Sequence, residues 1–253
     1  MKVTFLGTGT SGGVPIIGCS CEVCTSTDSR DKRLRTSAMV EVNGKVFIID
    51  AGPDFRYQML RANVTTIDAL LITHGHRDHI GGLDDIRPFN YLQGQIVDLY
   101  CDRHGEAMIH EQFSYAFNEN EYAFGPKVKF HRVGYEPFDV AGVKVTPIEV
   151  MHYRLPVKAY RIADFTYITD AKTISDTEKE KLKGTKMLVV NALHAREHIA
   201  HYTVEEALAL VREIKPETAY FTHMSHQFGL HEAMQQTLPA NVKIAYDGLV
   251  VEI

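Results

Sequence analysis

The sequence predicts an α/β fold in one domain spanning residues 1–253, and three observations carry that expectation. Short apolar runs of strand length alternate with helix-patterned stretches from end to end. No Pro/Ser-rich linker interrupts them. Residues capable of chemistry fall where apolar runs end, which is where sheets present functional groups. At 253 residues the chain can bury a sizeable core, and its length allows one large domain or two small ones.

Taken in order, Lys2 to Leu6 reads as a strand and leads into a glycine-rich turn. A loop from about Val14 to Arg35 follows, without hydrophobic periodicity; a loop of that length needs a function or a metal to hold it. Ala38 to Val42 and Lys45 to Ile49 flank Asn43-Gly44, which favours a hairpin because a type I′ turn needs positive φ at both central residues. Ile67 to Ile72 is a short buried strand, and Ile80, Leu83 and Ile86 space out a helical turn or two ending at Pro88. Glu106 to Phe117 reads as a helix, then Val143 to Met151, Phe165 to Thr169 and Met187 to Val190 as strands. Ser175 with Glu178, and Thr203 with Glu206, are capping-box pairs that open helices. Val204, Ala207, Leu208, Val211 and Ile214 line one face of the second helix, and Ala219 to Thr222 is again a strand. Leu71-Ile72-Thr73-His74 and Tyr220-Phe221-Thr222-His223 echo each other, a short hint of two related halves. Gln93 to Asp98 and Tyr153 to Lys158 are read as loops that wall a pocket.

Composition narrows the function classes. A formal charge of −5 with interspersed signs and no basic run argues against a general nucleic-acid binder, while a small anionic substrate stays open. No stretch approaches a membrane span and the N-terminus lacks a signal-peptide core, so a cytoplasmic protein is expected. Cys19, Cys21 and Cys24 are crowded together, which in a reducing compartment points to metal rather than disulfides; Cys101 stands alone as a packing residue.

The densest chemistry lies in Thr73-His74-Gly75-His76-Arg77-Asp78-His79, three imidazoles and a carboxylate directly after an apolar strand. Imidazole with carboxylate suits zinc, manganese or iron, and so many donors in so short a span suggest two ions side by side. Two residues apart in extended backbone, His74 and His76 point the same way, toward one ion, leaving Asp78 and His79 for a second. His152, Asp170 and His223 each follow an apolar strand and complete the sets: His74, His76 and His152; Asp78, His79 and His223; and Asp170 between them. Gly7-Thr8-Gly9-Thr10-Ser11-Gly12 satisfies the dinucleotide pattern, but Pro15 and the cysteine loop follow instead of the required helix, so it reads as a tight turn near the metals.

The motif His-x-His-x-Asp-His at positions 74 to 79 resembles that of the metallo-β-lactamase superfamily. The resemblance covers essentially the whole chain and implies a four-layered αββα sandwich with a dinuclear centre along one edge of two sheets. Phe5 to Pro15, Cys-x-Cys-x-x-Cys at 19 to 24 and Thr222 to Phe228 narrow it. Together they look like the phosphodiesterase branch of the bacterial carbon-phosphorus lyase pathway, whose relatives cleave cyclic ribosyl phosphates. That likeness implies a structural zinc on Cys19, Cys21, Cys24 and His226, a closed tetrahedral set. It also makes Asp50 a residue that orients a ligand, and places a catalytic histidine in the segment holding His194, His198 and His201.

The expected activity is metal-dependent hydrolysis of a small cyclic or alkyl phosphodiester. Two divalent ions, zinc or manganese, would lower the pKa of a bridging water to generate hydroxide, with Asp78 among the catalytic ligands. His201, just before the helix cap Thr203, is the candidate that serves the leaving alkoxide, with His198 and His194 as alternatives. The competing readings are a carboxyl-centre hydrolase, such as a lactonase, thioesterase or β-lactamase, and a pathway accessory protein without turnover. An RNA-processing nuclease would bring a basic gripping arm that is not visible, and a flavin-linked diiron oxidoreductase would carry Glu where His76 stands. The partners expected are a small diester, no nucleic acid, no membrane, and a second copy of the chain in a homodimer.

Overall fold

The computed structural model describes residues 1–117 and 125–253. In its first half lie β1 (Lys2–Gly7), β2 (Ser37–Val42), β3 (Lys45–Ile49), β4 (Ala69–Leu71), β5 (Val97–Cys101) and β6 (Val128–Arg132). Then come β7 (Phe138–Val140), β8 (Val143–His152), β9 (Leu155–Ile162), β10 (Phe165–Ile168), β11 (Met187–Asn191), β12 (Thr218–Thr222), β13 (Val242–Ile244) and β14 (Val250–Glu252). They form two seven-stranded sheets, ordered β14-β1-β2-β3-β4-β5-β6 and β13-β12-β11-β10-β9-β8-β7.

Both sheets follow one plan. From β14 to β3 and from β7 to β10 neighbours are antiparallel; from β3 to β6 and from β10 to β13 they are parallel. Parallel neighbours need crossovers, and helices supply them. They are α1 (Glu22–Thr25), which lies in the cysteine loop, then α2 (Phe55–Arg61), α3 (Arg77–Ile80), α4 (Arg87–Gln93), α5 (Arg103–Gln112), α6 (Ser114–Phe117), α7 (Asp176–Glu180), α8 (Val204–Ile214) and α9 (His231–Gln235).

Phe5, Val40, Phe47 and Leu71 of the first sheet pack with Val145, Tyr160, Tyr167 and Val189 of the second. The other face of the first sheet, through Leu6, Ile48 and Leu70, takes Phe55 and Met59 of α2 and Phe89 of α4. On the second sheet Ile148, Leu188 and Phe221 take Ala207, Leu210 and Val211 of α8. The layers are therefore αββα. Strands buried on both faces read as continuous apolar runs, which is why Met187-Leu188-Val189-Val190 shows no alternation. Each fully buried large side chain contributes about 1.5–3 kcal/mol. Among the described residues no helix is long and apolar enough to cross a membrane.

Several local expectations change in the fold. Pro88 does not end a helix: it lies in the first turn of α4, where its missing N–H has no intrahelical partner to lose. The two segments read as loops are partly strand, since Val97 and Asp98 belong to β5 and Leu155 to Lys158 to β9. Their alternation is too short to register without the pairing partners. Ser175 caps α7 by accepting from Glu178 N, but the Glu178 side chain accepts from Glu149 N instead of closing the box. The Thr203–Glu206 box on α8 is closed in both directions. The echo between Thr73-His74 and Thr222-His223 does not mark equivalent strands, because β4 occupies the place in its sheet that β11, not β12, occupies in the other.

Thr203→Ala removes the acceptor for Glu206 N at the start of α8 and is expected to destabilise the protein by about 1 kcal/mol. Urea unfolding followed by far-ultraviolet circular dichroism measures this as a lowered midpoint with an unchanged slope.

Candidate metal centre

The strand ends that face one another across the sandwich bring the sequence-selected residues to one place. From the first sheet, the chain leaves β4 through Thr73 into His74, Gly75 and His76, then turns into α3 with Asp78 and His79. From the second come His152 at the end of β8, Asp170 after β10 and His223 after β12. Hydrogen bonds tie the two sheets beside the site: Tyr160 Oη donates to Ile72 O at 2.6 Å, and Lys158 N to Thr73 O at 2.9 Å. Asp50, Asp170 and His223 have φ of 64°, 55° and 56°, a left-handed backbone uncommon outside glycine and concentrated at functional sites. Gly52 lets α3 come this close, since a Cβ there would sit 2.1 Å from Asp78 O.

The geometry groups the donors in three overlapping sets whose candidate ligand atoms lie within 4.8 Å of one another: Asp78, His79 and His223; His74, His79 and Asp170; and His152, Asp170 and His201. The first is one of the two expected sets. The other expected set, His74, His76 and His152, is gathered more loosely, with ring centroids 4.6–5.8 Å apart and His74 Nε2 3.0 Å from His76 Nδ1. Asp170 lies between, 3.2 Å from both His79 Nε2 and His223 Nε2. His201 joins it, 3.7 Å from the Asp170 carboxylate and stacked 4.8 Å from His223, with His198 behind it at 5.0 Å and His194 a further 6.1 Å away.

Hydrogen bonds orient these rings. His79 Nδ1 is 2.7 Å from the fully buried Asp50 carboxylate, which also accepts from Thr73 N and Thr73 Oγ1 at 2.8 Å each. His152 Nδ1 donates to Ala200 O at 2.9 Å. In the neutral form of each ring Nδ1 carries the proton, and Nε2 faces into the site. His79 Nε2, His201 Nδ1 and both nitrogens of His223 are buried without a hydrogen-bond partner. His79 Nε2 lies within 3.3 Å of Asp78 and 3.2 Å of Asp170, yet the geometry makes no hydrogen bond. Orphaned imidazoles converging on carboxylates fit divalent cations, which satisfy both at once.

The electrostatics agree. Burial alone would raise Asp170, but His223 and His79 outweigh it and hold the carboxyl well below its ordinary value. Burial would lower His79, and Asp170, Asp50 and Asp78 reverse this, lifting it well above an ordinary histidine. His74 is pushed well below, by burial and then His79; His201 falls to about 3, by burial and then His223. Carboxylates and the His79 cation thus compensate each other when no metal is bound.

A second cluster lies apart. Cys19 Sγ and Cys21 Sγ are 3.4 and 3.3 Å from His226 Nδ1, and Cys24 completes a group able to hold one ion. The Cys21 thiol is lowered to about 6, by the Cys24 backbone and then His226, while burial raises Cys24 to about 11. Cys101 is buried in the first sheet's outer core. The glycine run folds against the cysteine loop rather than opening a helix: a Cβ on Gly7 would sit 1.9 Å from Arg35 O.

Sequence reasoning missed Thr73 as the residue that links Asp50 to His74 and His79. It also missed that Asp50 and Asp170 are counterparts, each following the last strand of its antiparallel run. The signal was present in Ile49-Asp50-Ala51 and Thr169-Asp170-Ala171.

Comparisons with known proteins bear on the family and the fold. A beta-lactamase superfamily domain model matches residues 45–224. The chain is 40% identical to a crystallised diphosphatase from the PhnP family, with a TM-score of 0.93 over 100% of this chain and 97% of that one. A zinc-bound PqqB from Methylobacterium extorquens shares the fold at 20% identity and a TM-score of 0.79, with 100% of both chains covered. A curated relative from Porphyromonas gingivalis named octanoyltransferase is 40% identical over 252 residues, which cover 98% of this chain. The chain spans only about half of that protein's length, 51%.

His79 gains its carboxylate partners on folding, so its contribution to metal-free stability is complete below an ordinary histidine pKa of about 6.5 and is lost as pH rises through the elevated folded value. In chelator-treated protein the stability advantage over His79→Gln is expected to shrink as pH rises above about 6.5. With zinc bound the trend should reverse, because the ligand is the deprotonated ring. Thermal unfolding of both proteins across pH checks it.

Proposed function

We propose, from the premise that this chain belongs to the metallo-β-lactamase superfamily, that it is a metal-dependent phosphodiesterase acting on a small cyclic or alkyl phosphodiester. Hydrolysis is the chemistry of the superfamily, and its fold generally binds divalent metals such as zinc. The observation that carries the finer reading is the place of Asp170, a carboxylate within 3.2 Å of His79 and His223 and 3.7 Å of His201. One carboxylate shared between donor sets suits a pair of cations clamping a phosphoryl group. The full-length likeness to a diphosphatase supports it.

In this reading His74, His76 and His152 would hold one ion and Asp78, His79 and His223 the other, with Asp170 between the two sets; Cys19, Cys21, Cys24 and His226 would hold a structural zinc. The ions are zinc or manganese, and when bound they lower the pKa of coordinated water and neutralise phosphoryl oxygens. Asp50 and Thr73 fix the tautomers of His79 and His74, and Ala200 O that of His152. His201 serves the departing oxygen. It is the nearest of the three candidate histidines to Asp170 and stands just before the cap of α8. Its low pKa leaves the ring neutral, so it would take up the proton released by the attacking water and pass it to the departing oxygen as the ester bond breaks. The whole chain works as one domain on a small diester, in the cytoplasm, where free thiols persist.

The name octanoyltransferase belongs to a protein about twice as long.

Protein stripped with chelator and reloaded with zinc or manganese is expected to cleave bis(p-nitrophenyl) phosphate, with p-nitrophenyl phosphate and a β-lactam left intact. Cleavage of the β-lactam alone would transfer the reading to carboxyl-centre hydrolysis, and no turnover with metal bound to an accessory role. His201→Ala should lower kcat by roughly 10²–10⁴-fold. Its metal content by plasma emission should match that of the unaltered protein, and normal turnover would remove His201 from the mechanism.

A further inference from the structure

The segment that carries His201 is tied to the segment that carries Asp170 by bonds that neither side chain makes. His201 Nδ1 is buried without a hydrogen-bond partner and stops 3.7 Å short of the Asp170 carboxylate, so that spacing is set by the backbone around the ring. Upstream the chain is loosely held: Ala195, Arg196, Glu197 and Ile199 are exposed, and Ala200 O is the acceptor for His152 Nδ1. Downstream the hold is firm. Tyr202 N donates at 2.8 Å to Ala171 O, which also accepts from the fully buried Asn191 Nδ2 at 3.0 Å, while Asn191 Oδ1 accepts from Ala171 N at 2.8 Å. On the next residue, Lys172 Nζ donates to Glu206 Oε1 at 2.7 Å, and Glu206 Oε2 accepts from Thr203 N at 2.8 Å. Lys172 N donates in turn to Met151 O at 2.7 Å, one residue before His152. One lysine therefore joins three chain segments of the site, those bearing His152, Asp170 and His201. Ion pairs as exposed as this one, 18% at Lys172 and 40% at Glu206, contribute little to stability. The pair differs from a loose surface contact because the cap of α8 already fixes Glu206, so the ammonium meets a carboxylate that needs little further ordering. Burial would raise the Glu206 carboxyl, yet Lys172 and Thr203 bring it below its ordinary value.

We propose that Lys172 is a positioning residue for His201: through Glu206 it draws the first turn of α8 onto the strand end bearing Asp170, and so holds the imidazole where it serves the departing oxygen. This role rests on the phosphodiesterase reading. Lys172 acts through Glu206 and not by touching substrate. Proton transfer depends steeply on distance, so a small drift of the His201 segment costs rate without costing the fold.

The test measures cleavage of bis(p-nitrophenyl) phosphate and backbone amide exchange in metal-loaded protein. Lys172→Met is expected to lower kcat by roughly 10–10²-fold with KM and metal content unchanged, and Lys172→Arg to retain most of the rate. In the His201→Ala background the same Lys172→Met change should cost nothing more, because the residue it positions is gone. Exchange at the Tyr202 and Thr203 amides should quicken several-fold in Lys172→Met, while that of Leu210 within α8 stays as it was. An equal loss of rate in both backgrounds, a raised KM at unchanged kcat, or an unchanged rate overturns the positioning role and leaves the phosphodiesterase reading standing. If no protein cleaves the diester, wild type included, the phosphodiesterase reading falls. Quickened exchange then retains the link from Lys172 to the His201 segment, and unchanged exchange overturns that as well.

Discussion

Carboxylates and imidazoles taken out of water must find opposite charge, and that demand organises this molecule. Asp50 and Asp170 are almost wholly buried, as are His74, His79 and His223 around them. A lone buried carboxylate costs far more than a domain can offset, so each of these groups is stable only as part of the cluster. Without a cation, His79 takes the proton and three carboxylates surround it. With cations bound, its Nε2 would act as a ligand and the metal would carry the charge. The same side chains suit both states, and the nitrogens of His79 and His223 that lack hydrogen-bond partners mark where a cation would be held.

The two-sheet plan is what makes such a cluster buildable. Each sheet runs antiparallel through its first strands and parallel thereafter, and in each an aspartate follows the last antiparallel strand in left-handed backbone. The two counterparts have diverged in task. Asp50 faces back toward Thr73 and His79 and orients them, whereas Asp170 faces forward to His79, His223 and His201. Parallel strands place their C-terminal ends together, so four separate chain segments reach one edge without a long unsupported loop.

The cysteine loop is fastened to the same edge from behind. Arg33 is buried, donating to Thr8 Oγ1 and Ala245 O; burial lowers it to about 10, still a cation at neutral pH. Asp31 accepts from His231 N, and Asp247 accepts from Thr8 Oγ1 and Leu34 N. Thr8 O accepts from Met224 N, one residue after His223 and two before His226. The glycine-rich turn is thus clamped between a candidate ligand of the catalytic site and one of the cysteine site, so its glycines answer to close backbone packing rather than to a nucleotide.

The Asn43-Gly44 hairpin, the Thr203–Glu206 cap and the candidate ligand residues were legible in the sequence because they are local. Asn43-Gly44 states its own turn, Thr203 with Glu206 states its own cap, and six residues from His74 to His79 carry their chemistry in their spacing. Strand ends also flagged His152, Asp170 and His223, since an apolar run that stops at a polar group is visible in one dimension. What the sequence left undecided depended on partners far along the chain. The strand character of Val97–Cys101 and Leu155–Ile162 comes from pairing with β4, β6, β8 and β10. Pro88 could be placed at a helix start rather than an end only once the chain packed around it. Which histidine lies against Asp170 is a matter of how α8 docks on the second sheet, and spacing cannot choose among positions 194, 198 and 201. Residue types fix what chemistry is available; only packing, which sums many weak long-range contacts, decides where each group points and what it meets.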